Sequence, residues 1–487
     1  MAYANSGEGS KTFPLESAPV NAEPPALPSD ASGSPAGPAV PSGKQTIADR
    51  DIRRFLISTL LIYTGIALQL AVLGKEVFDI TGREIDLAWL GLAEFAPAPF
   101  LVFITGSVAD HFDRRKVAAI ALMGEVLCVL ALALYSASGP TAVWPFFLVA
   151  AVFGACRAFN APALRSMPPM IALDNGVPRV IALTNAVSFS SAIVGAAVSG
   201  ALYLIAPSAG YGAAAALIFL GMIALLMVQF RRRPKPPDPD ERPTMRSALE
   251  GLRFIRRTPI LLGIISLDLF AVLFGGAVAL LPAIAEDRLH VGDVAYGWLR
   301  AAPGIGAGAV GLVLAVKPLR RRVGKVLLFV VGVFGVGTVV LGYTTSYVVA
   351  FVALVVLSGA DMVSVFVRSS LVPLVTPDEK RGRVLAVENV FIGASNELGA
   401  FESGMAAQHL GLVPAVAGGG FATIGVVVLF SIAFPALRRI DRFEDLDIHG
   451  PHSKAELVEL AIGGLTARAE ATHIDPGPDR GPDHRSD

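Results

Sequence analysis

Residues 169–200 read PMIALDNGVPRVIALTNAVSFSSAIVGAAVSG, and residues 373–404 read PLVTPDEKRGRVLAVENVFIGASNELGAFESG. At a fixed offset of 204, Pro169, Asp174, Arg179, Val180, Ala182 and Asn185 meet Pro373, Asp378, Arg383, Val384, Ala386 and Asn389. The match runs on through Ser191, Gly195, Ala196, Ser199 and Gly200 against Ser395, Gly399, Ala400, Ser403 and Gly404. A second echo, at an offset of 206, sets Gly91, Ala96 and Pro97 against Gly297, Ala302 and Pro303. The chain is a duplicated unit.

Hydropathy says what the unit is. Of the 487 residues 53% are hydrophobic and only 16% charged, and the mean hydropathy is +0.61, too apolar for a chain that must cover itself with charge. Apolar stretches recur, each about 20 residues long and able to cross a ~30 Å hydrocarbon core. They predict spans at 55–79, 88–109, 117–136, 142–165, 180–206 and 211–230, then at 259–285, 294–316, 325–344, 347–372, 384–407 and 413–436. The expected fold is an all-α membrane protein with twelve transmembrane helices in two pseudo-symmetric six-helix bundles, 55–230 and 259–437. An even number of spans per unit makes the two copies parallel across the membrane.

Between the bundles, residues 231–258 open RRRPKPPDPDERP and continue into an amphipathic run from Met245 to Ile255, which predicts a linker with a short helix. Residues 1–54, rich in Pro, Ala, Ser and Gly, predict a disordered tail, not a signal peptide. Residues 438–487 form a polar tail with one possible short helix at 453–471.

Basic residues fall on alternate connections: Arg50, Arg53 and Arg54; Arg114, Arg115 and Lys116; Arg165 and Arg179; the linker; Arg320, Arg321, Arg322 and Lys325; Lys380, Arg381 and Arg383; Arg438 and Arg439. The opposite connections offer little beyond Lys75, Arg83 and Arg288. The positive-inside rule therefore predicts a multi-pass protein with both termini and the linker in the cytoplasm. Forty basic residues balance forty acidic ones, so no global charge favours nucleic acid. Cys128 and Cys156, both in apolar stretches, cannot make a disulfide framework and read as packing residues.

The loop after span two reads Gly106-Ser-Val-Ala-Asp110-His111-Phe112-Asp113-Arg114-Arg115-Lys116. Gly, Asp four residues on, then a basic pair resembles the signature loop of the major facilitator superfamily. His111 stands where that family usually has Arg or Lys, and Asp113 where it often has Gly. Gly106 would let another helix approach closely, and Asp110 would face the positive N-terminal end of a helix in the other half. The resemblance implies that this helix is span eleven, near Arg383, and that Gly106, Asp110, Arg114 and Arg115 form a cytoplasmic gate. The alternative is positive-inside topology with a helix-end carboxylate. The stretches FGACRAFNAPAL, SALEGLRFIRRTPILLG and FIGASNELGAFESG look like the drug- and siderophore-exporter branch that contains enterobactin exporters, over residues 55–436.

Charges within spans cost at least ~2.5–3.5 kcal/mol each at a helix centre and usually face a bundle interior or wet cavity. Here they are Glu94, Glu125, Arg157, Asp268, Arg300, Asp361, Arg368, Glu388, Glu397 and Glu402. The repeat maps Arg157 to Asp361, Asp268 to Thr64 and Glu94 to Arg300, and it gives Glu388, Glu397 and Glu402 the uncharged counterparts Thr184, Ile193 and Val198. The acidic excess lies in the second half. By resemblance, spans one, four, seven and ten line the cavity, which implicates Arg157, Asp268 and Asp361. Glu388, Ser395 and Glu402 share one stripe of span eleven, while Glu397 points roughly opposite. Asp268, Asp361 and Glu402, in that order, are the candidate proton carriers, with Arg157, Glu388 and Glu397 as further cavity candidates. Static pairs such as Arg157 with Glu125 or Asp361 are the competing reading.

Other motifs dissolve on inspection. Gly306-Ala-Gly308-Ala-Val-Gly311 lies within span eight with no preceding strand, so helix packing explains it better than dinucleotide binding. Gly37 to Lys44 lacks phosphate-loop spacing, the seven histidines show no metal pattern, and no nucleophile–base constellation appears. No catalytic residue, metal or cofactor is expected. The resemblance implies a monomeric secondary transporter of a bacterial inner membrane, a proton-coupled exporter of amphipathic drug- or siderophore-like molecules. Nutrient uptake through the same fold, and a non-transporting sensor or lipid-handling protein, are the alternatives.

Overall fold

The computed structural model describes residues 43–101, 105, 108, 112–173, 176–231 and 245–443. Gly106, Asp110 and His111 of the loop motif, and the possible helix at 453–471, lie outside the described residues. The described residues form helices and connections, with no strand among them. Numbering only the membrane helices, the first half holds α1 Arg50–Thr81, α2 Glu84–Phe95, α3 Arg114–Ala137, α4 Trp144–Arg165, α5 Val177–Ile205 and α6 Pro207–Leu226. The second holds α7 Pro259–Phe274, α8 Asp293–Val316, α9 Val323–Tyr343, α10 Tyr347–Val375, α11 Asp378–Leu410 and α12 Leu412–Ala433. Among the described residues, ten helices are long and apolar enough to cross a membrane. Of the other two, α2 is described only in part, with helical backbone resuming over 97–101. The other, α11, is 33 residues long but carries Glu388, Glu397 and Glu402 among its apolar residues.

The expected disordered tail at 1–54 ends too late. Gly43–Ala48 is a short helix, and α1 already begins at Arg50. The Asp49 carboxylate accepts from Asp51 N and Ile52 N, each at 3.1 Å, capping the helix, and Ile52 and Phe55 are buried. At its far end α1 stops at Gly82, whose φ of +59° lets its N–H reach the Phe78 carbonyl. At the other end Pro435–Arg439 is a helical turn, and the Ile440 and Asp441 carbonyls accept from the start of α9. Residues Met245–Arg257 form the linker helix. Its Ile255 is buried with Leu261, Val384 and Val387, and Glu250 pairs with Arg383 at 2.6 Å, fixing it to the foot of α11.

The duplication is visible in the packing. Gly195 of α5 lets that helix lie on the Thr64 carbonyl of α1, and its repeat partner Gly399 lets α11 lie on the Val272 and Leu273 carbonyls of α7. Gly200 brings α5 against the Asp293 carbonyl of α8, and its partner Gly404 brings α11 against Ala88 and Glu84 of α2. Within each half one glycine seats the fifth helix on the first. Between halves the other seats it on the opposite half's second helix. Close backbone approach at small residues is how helices associate where lipid supplies no hydrophobic drive.

Two features break the symmetry, each with a local cause. After α4 the helix breaks at Ser166 and restarts as Pro168–Ile171, whereas α10 runs unbroken past Pro373. Pro168 lacks the N–H that the continuing helix needs, and its counterpart Val372 has one. After Phe274, Gly275 and Gly276 turn α7 into a 3₁₀ segment, Gly276–Leu280, followed by a turn and a π segment at Ile284–Arg288. Gly399 O and Ser403 of α11 occupy the space where a side chain at 276 would sit.

Candidate functional site

Two charged clusters lie within the membrane helices, and a third joins the halves on the face away from the linker helix. In the first, Arg368 of α10 holds Asp268 of α7 and, through Nε at 3.3 Å, Glu388 of α11. All three side chains are buried. One guanidinium therefore serves two carboxylates, leaving one negative charge in excess within a low-dielectric interior. Asp361 and Ser364 stand seven and four residues before Arg368, so all three share a face of α10. A cavity of about 10 Å³, bounded by Asp268, Ala271, Val272, Val331, Phe334, Ala360, Asp361 and Ser364, gives room for roughly one water. Asp361 makes no hydrogen bond or ion pair among the described residues. The structure thus brings together Asp268, Asp361 and Glu388, which the sequence singled out, with Arg368, whose role as shared partner of Asp268 and Glu388 the sequence did not suggest.

The second cluster starts from Arg157 in the middle of α4, which pairs with Glu94 of α2 at 2.5 Å. Gly154, one turn earlier, permits this by letting α4 rest on the backbone of Glu94 itself. From α11, Glu397 reaches the same face of α2, its Oε2 3.1 Å from where a side chain on Gly91 would begin. Glu125 of α3 has 0% exposure and accepts from Asn160 of α4 at 3.2 Å. The competing static pairs, Arg157 with Glu125 or Asp361, give way to Glu94, against whose backbone Gly154 lets α4 rest. Arg157 keeps 43% of its side chain exposed at mid-helix, a position where a charge usually faces a bundle interior or a wet cavity.

The third cluster is centred on Lys75 of α1. It pairs with Asp79 on its own helix, lies 3.0 Å from Glu286 and 3.9 Å from Asp293 of the second half, and sits over the Tyr203 ring. Tyr203 of α5 donates to Asp79 at 2.6 Å, and Tyr296 of α8 donates to the Ala71 carbonyl of α1 at 3.0 Å. With the glycine crossings at Gly200, Gly297 and Gly404 these contacts join the two halves on the far face.

Glu402 joins neither intramembrane cluster: it is half-buried on α11 beside Phe401, whose ring packs edge-on against Trp89. Of the expected gate, Gly106 and Asp110 lie outside the described residues. Arg114 donates to the Ser166 carbonyl at 3.3 Å and Arg115 to the Val228 carbonyl at 2.6 Å, so the basic pair braces the foot of α3 against the ends of α4 and α6. Among the described residues no group of His, Cys, Asp and Glu has the arrangement of a metal site.

The chain and its fold resemble known proteins. The family profile described as Major Facilitator Superfamily matches residues 55–400. The chain is 24% identical to the enterobactin exporter EntS of Escherichia coli O127:H6 over 79% of this chain and 90% of that one. It is 26% identical to the uncharacterized MFS-type transporter YfiS of Bacillus subtilis over 57% of this chain and 64% of that protein. Among solved structures, a point mutant of the nucleoside transporter NupG superposes with a TM-score of 0.60 at 14% identity, covering 79% of this chain and 99% of that one. The D-xylose-proton symporter superposes with a TM-score of 0.58 at 13% identity, covering 78% and 96%.

Proposed function

The chain belongs to the major facilitator superfamily, and from that premise we propose that it exports amphipathic, drug- or siderophore-like small molecules in exchange for protons. The observation that carries the reading is the shared cavity of Asp268 and Asp361 beside Arg368. Breaking a buried ion pair outright costs about 3–5 kcal/mol, because it strands a charge. A proton delivered to Asp268 removes that penalty, since Arg368 then keeps Glu388 as its partner and the pair is neutral. Asp361, unpaired on the same cavity, is the group through which a proton reaches Asp268.

The same reading assigns a role to α11. Its Glu388 binds within the second half and its Glu397 touches α2 of the first. When the halves rock, the first contact travels with the second half while the second must break. Loading the Arg368 cluster can thus bias a motion felt at Arg157 and Glu94. With the basic connections in the cytoplasm, the Lys75 cluster closes the outer face and the cavity opens inward, the state in which an exporter collects its cargo.

The relatives that support export are named as enterobactin exporters. The direction is tested with everted membrane vesicles energised to an acid interior and offered a panel of catecholate siderophores and lipophilic cations. An exporter accumulates at least one compound in a gradient-dependent way. Accumulation only in right-side-out vesicles makes the protein an importer.

A further inference from the structure

We infer that the foot of α9, together with the groove above it, is a binding site for an anionic phospholipid, distinct from the transport cavity. The headgroup phosphate is held by Arg322, Lys325, Arg438 and Arg439, and one acyl chain lies along Phe329, Gly332 and Val336.

The lower part is a cavity of about 430 Å³ lined by those four cations with Ile440 and Asp441. Its frame is backbone. Val323 N donates to the Asp441 carbonyl at 3.2 Å, Gly324 N to the Ile440 carbonyl at 3.1 Å, and Arg322 N to the Asp441 carboxylate at 3.1 Å. Gly324 is required there, since the Leu437 carbonyl fills the place of a side chain. The clasp holds the start of α9 against the turn that carries Arg438 and Arg439. Four cations thus surround one carboxylate, and Asp441 already serves the Arg322 N–H and lies 4.0 Å from Arg442. Among the described residues none of the four side chains makes an ion pair or hydrogen bond. Guanidinium groups converging on one small space match a phosphate, which takes paired N–H donors from each.

The upper part is a groove of about 650 Å³ between α9, α10 and α12, lined by apolar side chains and glycine from Leu328 to Val340 on α9. Lys325, Phe329, Gly332 and Val336 follow at i, i+4, i+7 and i+11, so one stripe of α9 leads from the cation cavity into the groove. Gly332 has nothing within 4 Å of where its side chain would be, which leaves the floor open. From residue 328 to residue 340 the helix rises about 18 Å, comparable to half of the ~30 Å hydrocarbon core. Free phosphate has no use for the groove, and a neutral detergent has none for the cations. An anionic phospholipid uses both, at the membrane face where basic residues concentrate and anionic headgroups gather.

The test is native mass spectrometry of the full chain in neutral detergent, with phosphatidylglycerol and phosphatidylcholine of the same acyl chains. Phosphatidylglycerol is expected to stay bound where phosphatidylcholine leaves. The K325Q/R438Q/R439Q variant is expected to bind it roughly a hundredfold more weakly, and the R320Q/R321Q control, which removes neighbouring charge outside the cavity, to bind it as the parent does. V336W, which fills the groove, should weaken phosphatidylglycerol while the cations remain. Equal retention of the two lipids, parent-like binding by the triple variant, or displacement of phosphatidylglycerol by millimolar inorganic phosphate overturns the assignment. Should the triple variant fail to fold, R439Q and V336W decide it, and unchanged affinity in both overturns it.

Discussion

The guanidinium of Arg368 on α10 and the carboxylate of Glu388 on α11 stand 3.3 Å apart with both side chains buried, and Asp268 of α7 closes on the same guanidinium. Three helices of the second half are thereby tied through one residue. Arg368→Met leaves two carboxylates without their cation and is expected to destabilise the protein by about 3–5 kcal/mol. The R368M/D268N/E388Q variant, with all three charges removed, should recover most of that loss. Thermal unfolding in detergent measures both, and a single variant as stable as the parent would mean that the triad holds nothing together.

Gly154 is expected to tolerate no side chain, because the Glu94 backbone occupies the space a methyl group would need. Gly154→Ala should cost about 1–3 kcal/mol by overpacking. It should also lengthen the Arg157–Glu94 approach, which a distance measurement between labels on α2 and α4 would register. Gly212, with nothing within 4 Å, is the control at which alanine should be neutral or slightly stabilising.

Closure of the far face is expected to depend on Lys75. Its side chain is 8% exposed while Glu286 is 51% exposed, so the pair lies between a surface bridge and a buried one, worth about 1–3 kcal/mol. Electron–electron distances between labels at Arg83→Cys and His290→Cys, both exposed on that face, should gain a longer population in Lys75→Gln. The charge swap K75E/E286K should partly restore the short one. No change in the distribution on losing Lys75 would show that the glycine crossings alone keep the face shut.

Much of this architecture was legible in the repeat. Gly195 and Gly399, and Gly200 and Gly404, stood at equivalent positions in the sequence and make equivalent helix crossings in the structure. The polarity of α11 was legible too, since Glu388 and Glu397 point to different neighbours, as their nine-residue spacing requires. Partnerships were not. Nothing in the spacing of Arg368 or Glu94 says which helix will lie opposite, because that depends on how α2 meets α4 and how α7 meets α10. One signal was available: Gly154 three residues before Arg157, and Gly91 three residues before Glu94, mark faces where another backbone comes close. Lys75 reads in the sequence as a charge on a connection, whereas α1 continues as helix past it to Thr81.

The central claim is that protons pass through Asp268 and Asp361 during export. The most direct measurement is substrate-linked proton movement in liposomes reconstituted with the protein under an imposed pH gradient, comparing the parent with Asp268→Asn, Asp361→Asn and Glu402→Gln. The account predicts coupled flux in the parent, loss of coupling in Asp361→Asn and Asp268→Asn with substrate binding retained in the former, and a smaller change in Glu402→Gln. Coupling in all three variants equal to that of the parent would contradict it.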